Sequence, residues 1–269
     1  KDIGFDILEF QAQPLLEMTN EHMDEMKKAA ADLGIELTYS LGLDPYYDIS
    51  SRDEATRLRG VEYLKNIVEQ VGYMGGKVIS GVSYQGWGCT DVDPVEGKKP
   101  LLENSLKSMR ELVKVAADND ITYCVEAVNR FEGCLINTAQ EALDYVNAVN
   151  SPNIGILLDT YHMNIEESSF SEAIHLAGDK LVNFHTGDNN RRCPGRGHID
   201  FDEIFKALGD IHYTGRIVSE PFIATGGEVG NAVALWRDLE PDMSPEYRDK
   251  EAAYLLQYEK EKLAKYGLA

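Results

Sequence analysis

Four short runs in this chain pass from apolar to reactive in one step. "TYCVE" stops on Glu126, "GILLD" on Asp159, "LVNFH" on His185 and "RIVSE" on Glu220. Two glutamates, an aspartate and a histidine make an oxygen-rich set with one imidazole. Such a set suits a divalent ion like Mn²⁺, Co²⁺ or Mg²⁺ better than a structural zinc, which prefers thiolates. Three carboxylates gathered without an ion would repel one another, and a dication offsets that cost. One acidic residue at the end of one apolar run reads more readily as a helix cap or a solvated loop residue. Four in succession point to a shared ion.

Further polar residues follow these stops at short range. Glu132 comes six after Glu126, His162 three after Asp159, and Arg191 six after His185. Each has a plain alternative: His162 as a satisfied buried histidine, Arg191 as a solvated loop charge. Tyr84 and Trp87 in "SGVSYQGWGCT" (80–90) offer aromatic faces to a ligand, or pack locally.

These residues are far apart in sequence, so the fold must bring them together. Strand-like runs occur at 5–10, 35–41, 77–82, 121–128, 154–159, 181–186 and 215–221, separated by amphipathic stretches such as 101–119 and 138–149. Continuous apolar strands alternating with helices imply a parallel sheet covered on both faces. Thr138 is placed as an N-cap, and glycines in "AADLGI" and "EQVGYMGG" follow helix ends. The four stops lie 33, 26 and 35 residues apart, near the ~31 per unit of an eight-unit barrel. In a (β/α)8 TIM barrel the C-terminal strand ends share one mouth, where active sites assemble. Seven strands are visible, and "KDIG" reads as the tail of a helix. The first strand and most of the first helix therefore appear missing from the chain, an expected ~20–30 preceding residues. The charged amphipathic stretch 246–267 is expected to be the closing helix. No linker or low-complexity segment interrupts residues 1–269, which read as a single barrel domain.

A net charge of −20 argues against nucleic-acid binding, which needs basic patches. No apolar run approaches the ~20 residues that cross a bilayer, and the start lacks a signal-peptide layout. Four cysteines without CxxC spacing read as reduced thiols of a cytoplasmic protein. A small uncharged or cationic ligand, or a metal, is the expected partner.

Four stretches carry a resemblance: "VEAVNRFEGCLINTAQEAL", "LLDTYHMNIEESSFSEAI", "FHTGDNNRRCPGRGHIDFDEI" and "SEPFIATGGEVGNAVALWRDL". Together they span about residues 121–239, and they resemble the ketose 3-epimerases of the xylose-isomerase-like barrel superfamily. The resemblance implies one divalent ion, usually Mn²⁺ (manganese), on Glu126, Asp159, His185 and Glu220. It implies Glu126 and Glu220 as the acid/base pair, with Glu132, His162 and Arg191 contacting the sugar; Trp87, in a loop that departs from the family, is a candidate sugar contact on its own aromatic face. It implies epimerisation of a free ketose at C3 through a cis-enediolate, of D-psicose/D-fructose, D-tagatose/D-sorbose or L-ribulose/L-xylulose type, in a homodimer or homotetramer. Inversion at C3 needs one base on each face, and two glutamates well separated around a barrel can supply them. The chain departs from the family at residues 80–90, at Asp188 where a glutamate is usual, and at Ser219, so the preferred ketose stays open. On the same scaffold an aldose–ketose isomerase such as hydroxypyruvate isomerase, or an inosose dehydratase, would use the same logic. An abasic-site endonuclease would need more histidines than His162 and His185 beside the strand ends, and a non-catalytic sugar-binding protein would not need the glutamates.

Overall fold

A computed structural model of the chain describes residues 1–268, the Glu228 side chain apart. In order it runs β1 (Ile7–Gln11), α1 (Asn20–Leu33), β2 (Glu36–Gly42), α2 (Glu54–Tyr73), β3 (Val78–Val82) and α3 (Lys99–Asp118). Then come β4 (Thr122–Ala127), α4 (Ala139–Val149), β5 (Ile154–Asp159), α5 (Thr160–Glu166), α6 (Phe170–Ala177) and β6 (Leu181–Thr186). The last elements are α7 (Phe201–Asp210), β7 (Arg216–Ser219), α8 (Gly227–Ala232) and α9 (Pro245–Lys265).

The seven strands form one parallel sheet in the order β1 to β7, curled into a nearly closed TIM barrel. Every residue of β3 and β5 is buried, because helices cover the outer face and side chains fill the inner one. The expected caps are present: the Thr138 hydroxyl accepts from the Glu141 N–H at 3.2 Å, and Gly34 closes α1 with φ +61°. "KDIG" forms a turn. Gly4 N–H bonds Lys1 C=O at 2.8 Å, and its φ of +109° lies outside the helical region.

Between β1 and β7 lies a cleft of about 980 Å³, walled on its far side by Leu255, Leu256 and Leu263 of α9. Neither facing edge is paired across it among the described residues. The expected closing helix is α9, and it carries a buried carboxylate. Glu259 accepts from the hydroxyls of Thr186 and Ser219, one on β6 and one on β7.

Burial pushes the Glu259 carboxyl above its ordinary range, against the pull of the two hydroxyls. A carboxyl with a raised folded pKa stabilises the fold while protonated, and that contribution is lost as pH rises through the folded value. Glu259→Gln mimics the protonated form. Its melting temperature is expected to match the parent's near about pH 4, at or below the ordinary carboxylate value, and to lead it by roughly 2–4 °C near about pH 8, the effect of ~1 kcal/mol in a chain this size. Thermal melts at both pH values check this, and a variant less stable at both would contradict it.

Candidate active site

Glu126 ends β4 but for one residue, Asp159 ends β5, His185 is the penultimate residue of β6, and Glu220 directly follows β7. These four strand ends face the same mouth. One ligand atom from each side chain lies within 4.8 Å of all the others.

Asp159 does two things at once. Its Oδ1 caps α5, accepting from Tyr161 N–H at 2.6 Å and His162 N–H at 3.3 Å. Its Oδ2 is buried without a hydrogen-bond partner, as are His185 Nδ1 and Arg191 Nη1. Buried polar atoms left unpaired cost about 1–3 kcal/mol each. Two such acceptors converging with two more carboxylates fit a small dication, which would satisfy them together. The cap reading and the ligand reading of Asp159 are thus compatible.

The electrostatics carry the same signature. Burial raises the Glu126 carboxyl well above the ordinary range; nearby Glu220, Asp159 and Glu132 add to the shift and His185 opposes it. Burial pushes Asp159 up to about 6, with Arg191 opposing. Burial disfavours the imidazolium of His185, but Glu9 and Glu220 prevail and raise its pKa well above the usual value. His185 sits 3.4 Å from Glu220 Oε2 through Nδ1 and 2.9 Å from Glu9 Oε1 through Nε2.

His162 is buried, and its surroundings select one tautomer. The Asn129 backbone N–H donates to Nδ1 at 3.2 Å, so that nitrogen accepts. The proton then belongs on Nε2, which lies 3.5 Å from Glu126 Oε1. Burial, with the nearby Arg191 and His185 charges, holds the ring neutral by lowering its pKa far below the usual value. A neutral N–H donor therefore faces the site.

Arg191 adopts φ +63° and lies over the Tyr161 ring at 3.7 Å, with Nη1 at 3.9 Å from Asp159 and 4.0 Å from Glu220. Its loop is wound on Asp188, whose carboxylate accepts from the N–H groups of Asn189, Gly195, Gly197 and Ile199 at 2.7–3.2 Å. A Cβ at Gly197 would sit 2.1 Å from Asp188 Oδ1, so that position needs glycine.

Glu132 accepts from Trp87 Nε1 at 3.2 Å, Asn129 Nδ2 at 2.9 Å and Arg191 Nη2 at 3.4 Å. It thereby ties the loop after β3 to the loops after β4 and β6. Trp87 packs on Gly42, where a Cβ would approach its ring to 2.9 Å. All eight candidates except Asp159 line a cavity of about 510 Å³, walled on its apolar side by Val82, Phe222 and Val233. That volume suits a small ligand.

Of its two alternatives, Tyr84 takes local packing. It is wholly buried, donates to Glu126 C=O at 2.8 Å and stands beside Tyr145 in the core. Two further residues, Glu9 and Asn129, also contact the site's side chains. Glu9 closes "ILE" in β1 by the same apolar-then-polar pattern as the four candidate ligands, a signal present in the sequence. Asn129 lay within "VEAVNRFEG" with nothing to distinguish it.

The chain matches the Xylose isomerase-like TIM barrel family over residues 1–250. It is 39% identical over 256 residues to a D-psicose 3-epimerase of Ruminiclostridium cellulolyticum, covering 95% of this chain and 87% of that protein. A D-psicose 3-epimerase of Agrobacterium fabrum is 38% identical over 237 residues, 88% of this chain and 82% of the relative. The crystal structure of a D-psicose 3-epimerase with D-tagatose, from Clostridium cellulolyticum H10, superposes with a TM-score of 0.94 at 39% identity, over 97% of this chain and 90% of that one.

Proposed function

Since the chain belongs to the ketose 3-epimerase family of xylose isomerase-like TIM barrels, we propose that it inverts C3 of a free ketose by proton transfer between Glu126 and Glu220, around one divalent ion held by Glu126, Asp159, His185 and Glu220. One observation carries this reading. Two glutamates reach one cavity from strands three apart, and between them Asp159 Oδ2 and His185 Nδ1 lie buried and unpaired. An ion bound there, most readily Mn²⁺, supplies Lewis acidity toward the carbonyl and hydroxyl oxygens at C2 and C3.

The protein's own groups do the rest. One glutamate takes the C3 proton, and the other delivers a proton to the opposite face. The His162 Nε2–H and the Arg191 guanidinium are donors beside the oxyanion that develops at O2. Glu132 holds Arg191 and Trp87 in place, and Trp87 offers its ring to the sugar. The apolar wall limits water at the reacting carbon.

Incubation of the purified protein with D-fructose, D-tagatose and L-ribulose, each with Mn²⁺ and with chelator, tests the reading. C3 epimers are expected, only with the ion present. Aldose products would move the assignment to an isomerase on the same scaffold.

Trp87→Ala is expected to raise KM roughly tenfold with kcat little changed, a loss of ~1.4 kcal/mol of binding, while Trp87→Phe keeps most of the affinity. Initial-rate kinetics on the preferred ketose check this. A fall in kcat with unchanged KM would remove Trp87 from substrate binding.

A further inference from the structure

We propose that Glu9 is a positioning residue for the ion site, holding the His185 ring so that Nδ1 faces the ion. The inference rests on the ion site proposed above. Glu9 is outside the group of four and does not line the substrate cavity. It stands on the inner face of β1 with its side chain 8% exposed, and its Oε1 lies 2.9 Å from His185 Nε2.

The carboxylate is itself fixed. Its Oε2 accepts from the Thr38 hydroxyl at 3.0 Å and from Asn183 Nδ2 at 3.3 Å, and Asn183 also donates to the Ser80 hydroxyl at 2.8 Å. Side chains from β1, β2, β3 and β6 therefore meet in one buried polar network. Among the described residues it reaches the ion site through the His185 ring.

Two observations together give the link its direction. His185 Nε2 is satisfied by Glu9, whereas Nδ1 is buried with no hydrogen-bond partner. A ring that donates Nε2–H to a carboxylate presents the Nδ1 lone pair to the ion, and its basicity rises. Removing such a carboxylate from behind a ligating histidine typically weakens metal binding about 10–100-fold. A network that served only to pack the barrel would lower stability and leave metal affinity alone.

Titrating the metal-free full chain with Co²⁺, followed by its visible absorption bands and by calorimetry, separates the two roles. Glu9→Gln is expected to bind Co²⁺ about 10–100-fold more weakly, with shifted bands. Glu9→Asp keeps the charge but falls short of the ring, and it is expected to weaken binding in the same direction should Glu9→Gln fold poorly. Ser80→Ala removes a bond in the network remote from His185 and is expected to keep wild-type affinity and bands, whatever its melting temperature. Wild-type affinity and bands in both Glu9 variants would overturn the proposal while leaving the ion site standing. A wild-type protein that takes up no Co²⁺ would overturn both together.

Discussion

Glu220→Gln is expected to lower kcat for C3 epimerisation by about 10²–10⁴-fold, and Glu126→Gln to do the same. An amide keeps the shape of the carboxylate but cannot accept the proton. Both residues are also proposed ligands, so the assay needs enough Mn²⁺ to saturate the weakened site. The two variants should differ in a second readout. With one base left, only the ketose whose C3 proton faces that base can exchange it with D₂O, and it does so without inverting. Glu126→Gln should exchange one epimer and Glu220→Gln the other, as read by NMR of recovered substrate. Full turnover in both variants would remove the two glutamates from the proton transfer and overturn their assignment as the acid/base pair.

Stripping the ion with a chelator is expected to abolish turnover and to lower the melting temperature. Mn²⁺ at a hundred times its Kd adds about 2.7 kcal/mol to the folded state, which corresponds to roughly 5–10 °C in a chain of this size. The effect should weaken in acid. Burial pushes Asp159 up to about 6 and holds Glu126 well above the ordinary carboxylate range. The ion must displace protons from these groups, so its apparent affinity falls as pH drops through about 6. Melts with and without Mn²⁺ near about pH 5 and about pH 7.5 check the sign. A melting temperature indifferent to Mn²⁺ at both values would contradict it.

The inner strands were legible because a parallel barrel buries them on both faces; β1 and β7, at the two edges of the sheet, are only partly buried, yet each still carries a short apolar run. The four ligand candidates were legible for the same reason: a charged group at the end of such a run lies where the core stops. Loops gave no comparable signal. Tyr84 and Trp87 are three residues apart in one loop, yet Tyr84 turns into the core while Trp87 reaches the cavity. Nothing in their types decides this; it follows from Tyr84 finding the Glu126 carbonyl and Trp87 finding Glu132. The winding of residues 188–199 on Asp188 likewise depends on backbone N–H groups, which no side-chain pattern encodes. Glu259 was hidden in a charged helix, where the buried carboxylates of Glu251 and Glu259 look like their exposed neighbours. Glu9 was hidden differently, by lacking an obvious partner until β1 and β6 are seen to face each other across the barrel.

On the proposed function, a proton moves at C3 and nowhere else, between two glutamates around one ion. The most direct measurement is turnover of a ketose by the Mn²⁺-loaded protein in D₂O, with the label located by NMR. Deuterium at C3 of the inverted product is predicted, with C1 unlabelled and no aldose formed. Deuterium at C1, or an epimer formed without any label at C3, would contradict it.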